Sequence, residues 1–312
     1  MKIAFLFPGQ GSQTLGMGKD IFEKFEDYRK IYDKVKEITK IDIAKITFEE
    51  EEKLNETKYT QLAILTNSLA ILEVLKKYNI YPYMTAGLSL GEYTALIEGN
   101  VFSFEDGIKI VQKRGEYMQN LAPKGSWKMA AIMGMSENEI SKLCAKTKSG
   151  FVKPSNYNYE GQIVISGEEK AIKEATIIAK EMGAKKVRIL NTSGPFHTEK
   201  LLKSSEALKE ELNKYNINKI KTKIFKNIDG NLYLEKDDIK DILVKHIIKP
   251  VKFSKIIDNM LKNGIDTFIE IGPGKTLSGF LKRTKKDREI EILNINSLES
   301  LEKTIKYIKE NK

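Results

Sequence analysis

A serine lies at the centre of the glycine-flanked segment GLSLG, residues 87–91. The segment fits the pattern G-x-S-x-G, in which a strand turns sharply into a helix and presents the serine hydroxyl at the tip of the turn. Residues Tyr83–Leu88 are predicted to form that strand, and a helix is predicted to begin directly after the motif. We therefore predict that Ser89 is the nucleophile of an acyl-transfer enzyme; the alternative is a turn serine that only caps the helix.

A serine hydroxyl is a poor nucleophile at neutral pH and needs an adjacent base, which is most often histidine. The chain has only 2 histidines. His197 follows the predicted strand KKVRIL and stands at the start of a predicted helix, where a site should form. His246 lies inside the predicted helix IKDILVKHIIKP, which is typical of a buried core residue. We therefore expect His197 to be the base.

Arg114 is the third residue that could take part in chemistry. It lies on the predicted helix Phe104–Asn120, in register with the apolar residues of that helix. An inward-facing guanidinium needs an anion, because a buried unpaired charge is very costly. The anion could be a protein carboxylate such as Glu116 or Glu92, or a substrate carboxylate held by two parallel hydrogen bonds.

A glycine-rich turn, FPGQGSQ (residues 7–13), follows the first predicted strand. A loop of this composition could cradle a phosphate, but it matches neither G-x-G-x-x-G nor the P-loop, which needs Gly-Lys-Ser/Thr. We interpret it as a rigid turn that directs backbone N–H groups at a neighbouring site, for instance as half of an oxyanion hole.

Strands and helices alternate along most of the chain. The apolar run Ile3–Phe7 predicts a buried strand, Tyr59–Tyr78 has apolar residues at helical spacing, and IDTFIEIG (residues 265–272) predicts a late strand. A strand over KIFKNI (residues 223–228) and a helix over Thr198–Tyr215 are also predicted. Such alternation is typical of an α/β domain with a mainly parallel sheet, which binds ligands at the carboxyl ends of its strands.

The order changes to β-α-β-β-α-β between Trp127 and Leu190. Its predicted strands are WKMAAIMG, Phe151–Pro154, QIVISG and KKVRIL, and its predicted helices are SENEISKLCAKT and EKAIKEATIIAKEMG. This is the order of a ferredoxin-like unit. We therefore expect a large domain of residues 1–124 and 195–312, with a small ferredoxin-like domain, residues 125–194, inserted into it.

Composition limits the classes of partner. The chain has 53 Lys and Arg against 43 Asp and Glu, and the net charge of +10 favours an anionic partner. Basic and acidic residues are interleaved, without an arginine-rich or aromatic-basic stretch, so nucleic-acid binding is not expected. The lone Cys144 excludes an internal disulfide framework, and two distant histidines with one cysteine do not suggest a metal site. The N-terminal apolar run is too short for a signal peptide or a membrane span, so we expect a cytoplasmic protein that does not bind membranes.

The segments FPGQGSQ, TQLAIL, GLSLGEY, RGEYM, GPFHT and IEIGPGKTL, in this order, carry a resemblance that runs essentially end to end. The chain resembles the malonyl-CoA:acyl carrier protein transacylase family. The resemblance implies a hydrolase-like α/β domain with an inserted ferredoxin-like domain and an active site in the cleft between them. It also implies transfer of a malonyl group from malonyl-CoA to the phosphopantetheine thiol of acyl carrier protein, in support of fatty-acid synthesis.

By this resemblance Ser89 would be acylated and His197 would act as base and then as acid. Arg114 would hold the free carboxylate of the malonyl group, and the backbone N–H groups of Gln10 and Leu90 would bind the oxyanion. A ping-pong reaction follows from the acyl-serine intermediate. No cofactor is implied, the carrier protein would be an acidic, transient partner, and we expect the enzyme to be a monomer.

Further roles come from the same resemblance. The residues expected to line the pocket are Gln61, Met118, Asn156, Phe196 and Asn227. The ring of Phe196 resembles that of malonyl-selective domains and would leave little room for a branched acyl group. His246 stands where the family commonly has Gln, whose main-chain carbonyl orients the catalytic imidazole, and Leu88 departs from the usual G-H-S-L-G.

Two other classes of function remain open. Esterases and lipases use the same nucleophile turn, but they place an Asp or Glu between Ser and His in chain order. Asp106 is the only Asp between Ser89 and His197, and it lies at a predicted helix start. A carrier-binding module without catalysis is the second alternative, although Ser89, His197 and Arg114 are all present.

Overall fold

The computed structural model describes residues 1–190, 192, 194–284 and 289–311. The strands are β1 (Ile3–Phe7), β2 (Met84–Gly87), β3 (Trp127–Met133), β4 (Val152–Tyr159), β5 (Gln162–Glu168), β6 (Lys186–Leu190), β7 (Lys223–Ile224), β8 (Thr267–Ile271) and β9 (Glu291–Ile295). The α-helices are α1 (Lys19–Lys24), α2 (Glu26–Thr39), α3 (Ile43–Glu49), α4 (Glu51–Leu54), α5 (Thr57–Lys77), α6 (Gly91–Glu98), α7 (Phe104–Asn120), α8 (Glu137–Lys146), α9 (Glu169–Glu181), α10 (Leu202–Leu212), α11 (Ile239–Ile248), α12 (Phe253–Lys262), α13 (Thr276–Thr284) and α14 (Leu298–Asn311).

The larger sheet has the order β7-β2-β1-β8-β9, and all its described pairings are parallel. The central strand β1 is buried along its whole length, as its unbroken apolar sequence requires. Alternate side chains of β1 enter different cores: Phe5 and Phe7 face the core that contains α5 and α7, whereas Leu6 faces the core that contains α12 and α13. The carboxyl ends of β1 and β2 therefore open at one edge of a sheet that is covered on both faces.

The smaller sheet has the order β4-β5-β3-β6 and is antiparallel throughout. On β3, Ala130 and Ile132 pack in a core of their own with α8 and α9. The alternate residues Met129, Ala131 and Met133 point to the other face of the sheet and line a cleft. The fold-class prediction of a parallel α/β sheet with a separate antiparallel β-α-β-β-α-β unit is confirmed.

We propose that the small domain comprises residues 125–194 and that the large domain comprises residues 1–124 and 195–312. All strands of the smaller sheet lie within the first of these ranges. The smaller sheet also contacts the segment before α12, because the N–H of Tyr157 on β4 donates to the carbonyl of Val251 at 2.8 Å. Asn191 and Ser193, which the proposed small domain includes, lie outside the described residues.

Several predicted elements differ from the structure. The prediction of a strand over residues 223–228 is wrong beyond Ile224, because the N–H of Lys226 donates to the carbonyl of Asn231 at 2.7 Å and the chain turns back on itself. The helix predicted over Thr198–Tyr215 begins with a 3-10 turn, and its α-helical part covers only α10. The strand predicted over Phe151–Pro154 extends to Tyr159. Within the described ranges, no helix combines the length and apolar character needed to cross a membrane.

Candidate active site

Ser89 stands at the tip of the turn between β2 and α6, with a backbone φ of 54°. This left-handed conformation is unfavourable for a residue with a side chain and is tolerated where the surroundings impose it. The surroundings here are too close for side chains on the flanking glycines: a Cβ on Gly91 would lie 2.1 Å from the carbonyl oxygen of Phe7, and one on Gly87 would lie 1.9 Å from the carbonyl carbon of Gly91. Gly91 is therefore needed for packing against the end of β1, and Gly87 for the close approach of β2 to the start of α6.

A buried asparagine holds this turn from behind. The side-chain Oδ1 of Asn227 accepts the N–H of Ser89 at 2.8 Å, and its Nδ2 donates to the carbonyl of Gly87 at 2.7 Å. Asn227 was predicted to line the pocket. The structure instead buries it completely beneath the turn, and it is not among the residues that line the cleft.

His197 provides an imidazole next to the serine. Its Nε2 lies 2.7 Å from the Oγ of Ser89, and its Nδ1 lies 2.9 Å from the backbone carbonyl oxygen of His246. A carbonyl can only accept a hydrogen bond, so Nδ1 carries the proton and Nε2 is free to accept the serine proton. In the described part of the chain no carboxylate bonds to Nδ1, which separates this site from the Ser-His-Asp arrangement of hydrolases.

The pKa of His197 is held well below the ordinary value of 6.5, chiefly because the ring is buried. Positive charge on His246 and on Arg114 lowers the pKa further, while the hydrogen bonds to the backbone carbonyls of His246 and Lys249 act in the opposite direction. The imidazole is therefore neutral at neutral pH, which is the state that a general base requires.

Arg114 reaches the serine from α7, and its side chain is only 1% exposed. Its Nη1 donates to the Oε1 of Gln61 at 2.5 Å, and its Nη2 donates to the Oγ of Ser89 at 3.2 Å. The guanidinium also lies over the ring of Tyr93, 5.1 Å from its centroid. These three contacts are with neutral groups, so among the described residues no bonded anion separates the charge of Arg114 from the serine hydroxyl.

Neither carboxylate that could have neutralised Arg114 does so. Glu116 pairs with Lys113 at 2.7 Å, and Glu92 contacts His246 instead. Among the described residues Arg114 forms no ion pair, and its Nε has no hydrogen-bond acceptor. Burial lowers the pKa of Arg114, but a guanidinium remains charged across the physiological range. Within the described residues, the site therefore offers a ligand a buried cation that forms no ion pair, although the charge of Glu92 acts on it without direct contact.

A cleft of about 610 Å³ lies between the glycine-rich loop of the large sheet and the inner face of the small sheet. Ser89 and His197 line it, and Leu88 lies beside them. The predicted site residues that also lie on its wall are Gln10, Gln61, Met118, Asn156 and Phe196.

The two predicted oxyanion donors are Gln10, in the glycine-rich loop after β1, and Leu90, which follows Ser89 in the chain. In the described residues, neither the N–H of Gln10 nor that of Leu90 is donated to a protein acceptor. Gly9, next to Gln10, packs so closely on the nucleophile turn that a Cβ there would lie 2.4 Å from the carbonyl oxygen of Leu88. This contact brings the glycine-rich loop and the serine turn together, as an oxyanion site made from both would require.

The side chains of Glu92 and His246 form a buried contact that the motifs did not indicate. Both side chains are 0% exposed, and the Nδ1 of His246 lies 2.7 Å from the Oε2 of Glu92. The His246 ring is stacked on that of His197, with centroids 4.8 Å apart and planes 23° apart. The one available signal was Glu92 itself, a glutamate placed directly after the nucleophile turn at the start of α6.

The described residues contain no group of three or more His, Cys, Asp or Glu that could hold a metal ion.

Residues 4–310 match the family model described as an acyl transferase domain. The chain belongs to this acyl transferase family. It is 41% identical over 312 residues to the malonyl CoA-acyl carrier protein transacylase of Bacillus subtilis (strain 168), covering 99% of this chain and 98% of the relative.

Two solved structures are also similar. The malonyl CoA-acyl carrier protein transacylase of Clostridium perfringens has a TM-score of 0.94 and 42% identity, over 99% of this chain and 98% of that one. A malonyl-transacylase in complex with its type II PKS acyl-carrier protein has a TM-score of 0.93 and 30% identity, over 98% of this chain and 100% of that one. The predicted family resemblance is confirmed, and the chain is an acyltransferase.

Proposed function

We propose that the protein transfers a malonyl group from malonyl-CoA to the phosphopantetheine thiol of acyl carrier protein through a malonyl ester on Ser89, and thereby supplies fatty-acid synthesis. The names of the relatives support this substrate pair. The observation that carries the proposal is Arg114, a buried cation that forms no ion pair with any described residue and whose Nη2 lies 3.2 Å from the Ser89 hydroxyl. A malonyl group needs such a partner because it carries a free carboxylate beside its thioester.

In the first half-reaction the Ser89 proton passes to the Nε2 of His197 as Oγ bonds to the thioester carbonyl carbon. The N–H groups of Gln10 and Leu90 bind the oxygen that becomes negative. The intermediate then expels the CoA sulfur, which takes the proton from His197. The product is a malonyl ester on Ser89 with His197 neutral again.

In the second half-reaction the thiol of the carrier's phosphopantetheine gives its proton to His197 and its sulfur attacks the ester carbonyl. Ser89 leaves and recovers a proton from His197. The backbone carbonyl of His246 keeps the imidazole in the required tautomer throughout. Release of CoA before the carrier binds makes the kinetics ping-pong.

The remaining contacts define where the acyl group lies. Arg114 holds the malonyl carboxylate, and Gln61 orients the guanidinium through the bond to its Nη1. Met118, Asn156 and Phe196 form the walls on which the acyl and pantetheine chains pack. Asn227 acts behind the turn, by holding the N–H of Ser89.

Partners and conditions follow from the same proposal. An acidic carrier protein suits a chain with a net charge of +10. The structure of a relative bound to its acyl carrier protein supports this kind of partner. We further propose that the enzyme works as a monomer in the cytoplasm, without a cofactor and without binding nucleic acid or membranes.

Acid-quench trapping tests the proposal. Mixing the protein with malonyl-CoA should place a malonyl group on the peptide that contains Ser89, and acyl carrier protein should discharge it faster than water does. Ser89→Ala is the control and should carry no adduct. Cys144 is the only thiol in the chain, and burial raises its pKa to about 11, so it should not compete. Discharge by water alone would indicate a hydrolase, and absence of any adduct would indicate a binding module.

A further inference from the structure

The mechanism above uses only the backbone carbonyl of His246. Its imidazole is nevertheless fully buried and stacked on the ring of His197, 4.8 Å between centroids. A ring in this position restricts the plane that the His197 ring can adopt. The Nδ1 of His246 lies 2.7 Å from the Oε2 of Glu92, but the angle does not meet hydrogen-bond geometry. The contact is therefore chiefly electrostatic.

Glu92 is a second buried group that the mechanism leaves unused. Its Oε1 accepts the N–H of Asn227 at 3.0 Å and the O–H of Tyr233 at 2.8 Å. Among the residues that the structure describes, no lysine or arginine forms an ion pair with it. A buried carboxylate is costly unless it is paired, and within the described residues the imidazole of His246 is the basic side chain in contact with this one.

These contacts connect the turn that carries Ser89 with the ring of His197. Through Asn227, Glu92 supports the residue that holds the N–H of Ser89. Through His246, Glu92 supports the ring that lies on His197. Glu92 lies on α6, which begins directly after the nucleophile turn, so its one carboxylate reaches both Asn227 and His246.

We infer that Glu92 and the imidazole of His246 form a buried positioning pair, which fixes the ring of His197 and ties it to the turn that carries Ser89. The role of the pair rests on the proposed function. It acts through His197 and touches no substrate.

The pair has an electrostatic consequence for the base. A positive charge on the stacked His246 ring disfavours a second positive charge on His197, and it lowers the pKa of His197 together with burial and Arg114. The other charged or titratable groups that face the pair are Arg114 from α7, Tyr93 from α6 and Tyr233 from the segment after β7. Removing the His246 ring should therefore raise the pKa of His197.

Histidine NMR tests the inference without any substrate, because the chain contains only 2 histidines. In protein labelled at the imidazole carbons, His246→Gln leaves one signal, that of His197, and keeps the backbone carbonyl at position 246. We expect the His197 titration midpoint to rise by about one pH unit in this variant. Lys245→Gln is the matched control, because it removes the positive charge of the residue just before His246 on α11. Lys245 is exposed and pairs with Asp241 at 2.6 Å. This control should leave the midpoint in place.

Glu92→Gln provides the second variant. Because Glu92 acts on His197 through the ring of His246, loss of the carboxylate should raise the His197 midpoint, as His246→Gln does. The double variant should move the midpoint no further than His246→Gln alone. Unchanged midpoints in both single variants would overturn the inference. Fully additive shifts would also overturn it, since they would mean that the two side chains act separately.

The wild type supplies a measurement that needs no variant to fold. Because the His246 ring is stacked on that of His197, with centroids 4.8 Å apart, the ring protons of the two histidines should show a nuclear Overhauser contact in the folded protein. Absence of this contact would contradict the pair. In the acylation assay, His246→Gln should shift the acid limb of kcat to higher pH with KM for malonyl-CoA unchanged. A merely structural role would lower the rate equally at every pH. Failure of wild-type acylation would count against the proposed function only.

Discussion

The Nη2 atom of Arg114 lies 3.2 Å from the Oγ atom of Ser89, although Arg114 comes from helix α7 and Ser89 from the turn between β2 and α6. The same guanidinium is bound on its other side by Gln61 from α5. The hydroxyl proposed as nucleophile therefore lies beside a buried cation that has no protein counter-ion within the described residues. This arrangement favours an acyl group with its own carboxylate over a neutral one.

Replacing Arg114 should separate malonyl transfer from acetyl transfer. We expect Arg114→Ala to lower kcat/KM for malonyl-CoA by about a hundredfold or more, because the substrate carboxylate loses a buried charged partner. Acetyl-CoA has no such carboxylate, so its slow reaction should be far less affected. Parallel assays with both thioesters measure the difference, and equal losses would contradict the assignment.

The buried imidazole predicts an unusual pH profile. Because the pKa of His197 lies well below 6.5, the ring should stay neutral in mildly acidic solution. Acylation of Ser89 should therefore keep its rate below the pH at which a solvent-exposed histidine gains its proton, and fall only at lower pH. Rapid-quench measurements across this range give the profile. A midpoint at the ordinary histidine value would contradict the predicted desolvation.

The same pKa predicts how stability depends on pH. The folded state binds the proton of His197 less readily than the unfolded state does, so the unfolded state carries more protons as the pH falls through about 6.5. The contribution of His197 to the free energy of unfolding is complete above that pH and decreases below it. Denaturant unfolding of wild type and His197→Gln at several pH values isolates this contribution, and identical slopes against pH would contradict it.

Asn227 should matter to the rate more than to substrate affinity. Asn227→Ala removes the acceptor for the Ser89 N–H and the donor to the Gly87 carbonyl, so the free energy of unfolding should fall by about 1–3 kcal/mol. The turn should also lose its geometry, and kcat should fall at least about tenfold with KM little changed. Asn259→Ala is the matched control, since that side chain donates to the Gly230 carbonyl at 2.8 Å. It should lower stability without a comparable loss of kcat.

The charge of the chain predicts a salt effect confined to the carrier step. With a net charge of +10, discharge of the acyl-enzyme by acidic carrier protein should slow several-fold between about 20 and 200 mM salt. Discharge by free pantetheine, which is neutral, should change little. Single-turnover discharge with both thiols tests this, and equal salt dependence would argue against electrostatic docking.

Local patterns alone were sufficient for much of the architecture and for proposing a nucleophile. The strand Ile3–Phe7 and the helix Phe104–Asn120 have the predicted limits. The strand follows from an unbroken apolar run, the helix from apolar residues at helical spacing, and both from end signals within the segment itself. Ser89 could be predicted as the nucleophile because a sharp turn needs glycines at fixed offsets. His197 could be predicted as the base because the chain offers only one other histidine.

The partners of the buried polar groups were decided only by the tertiary structure. Periodicity placed Arg114 on an inward face but left open which anion it meets, and the fold gives Glu116 to Lys113 and Glu92 to His246. Asn227 lies behind the nucleophile turn and not on the cleft wall, and the ring of His246 lies against that of His197. Such contacts join residues far apart in the chain, so they depend on how helices and sheets pack. That packing is a property of the whole fold, and no local spacing encodes it.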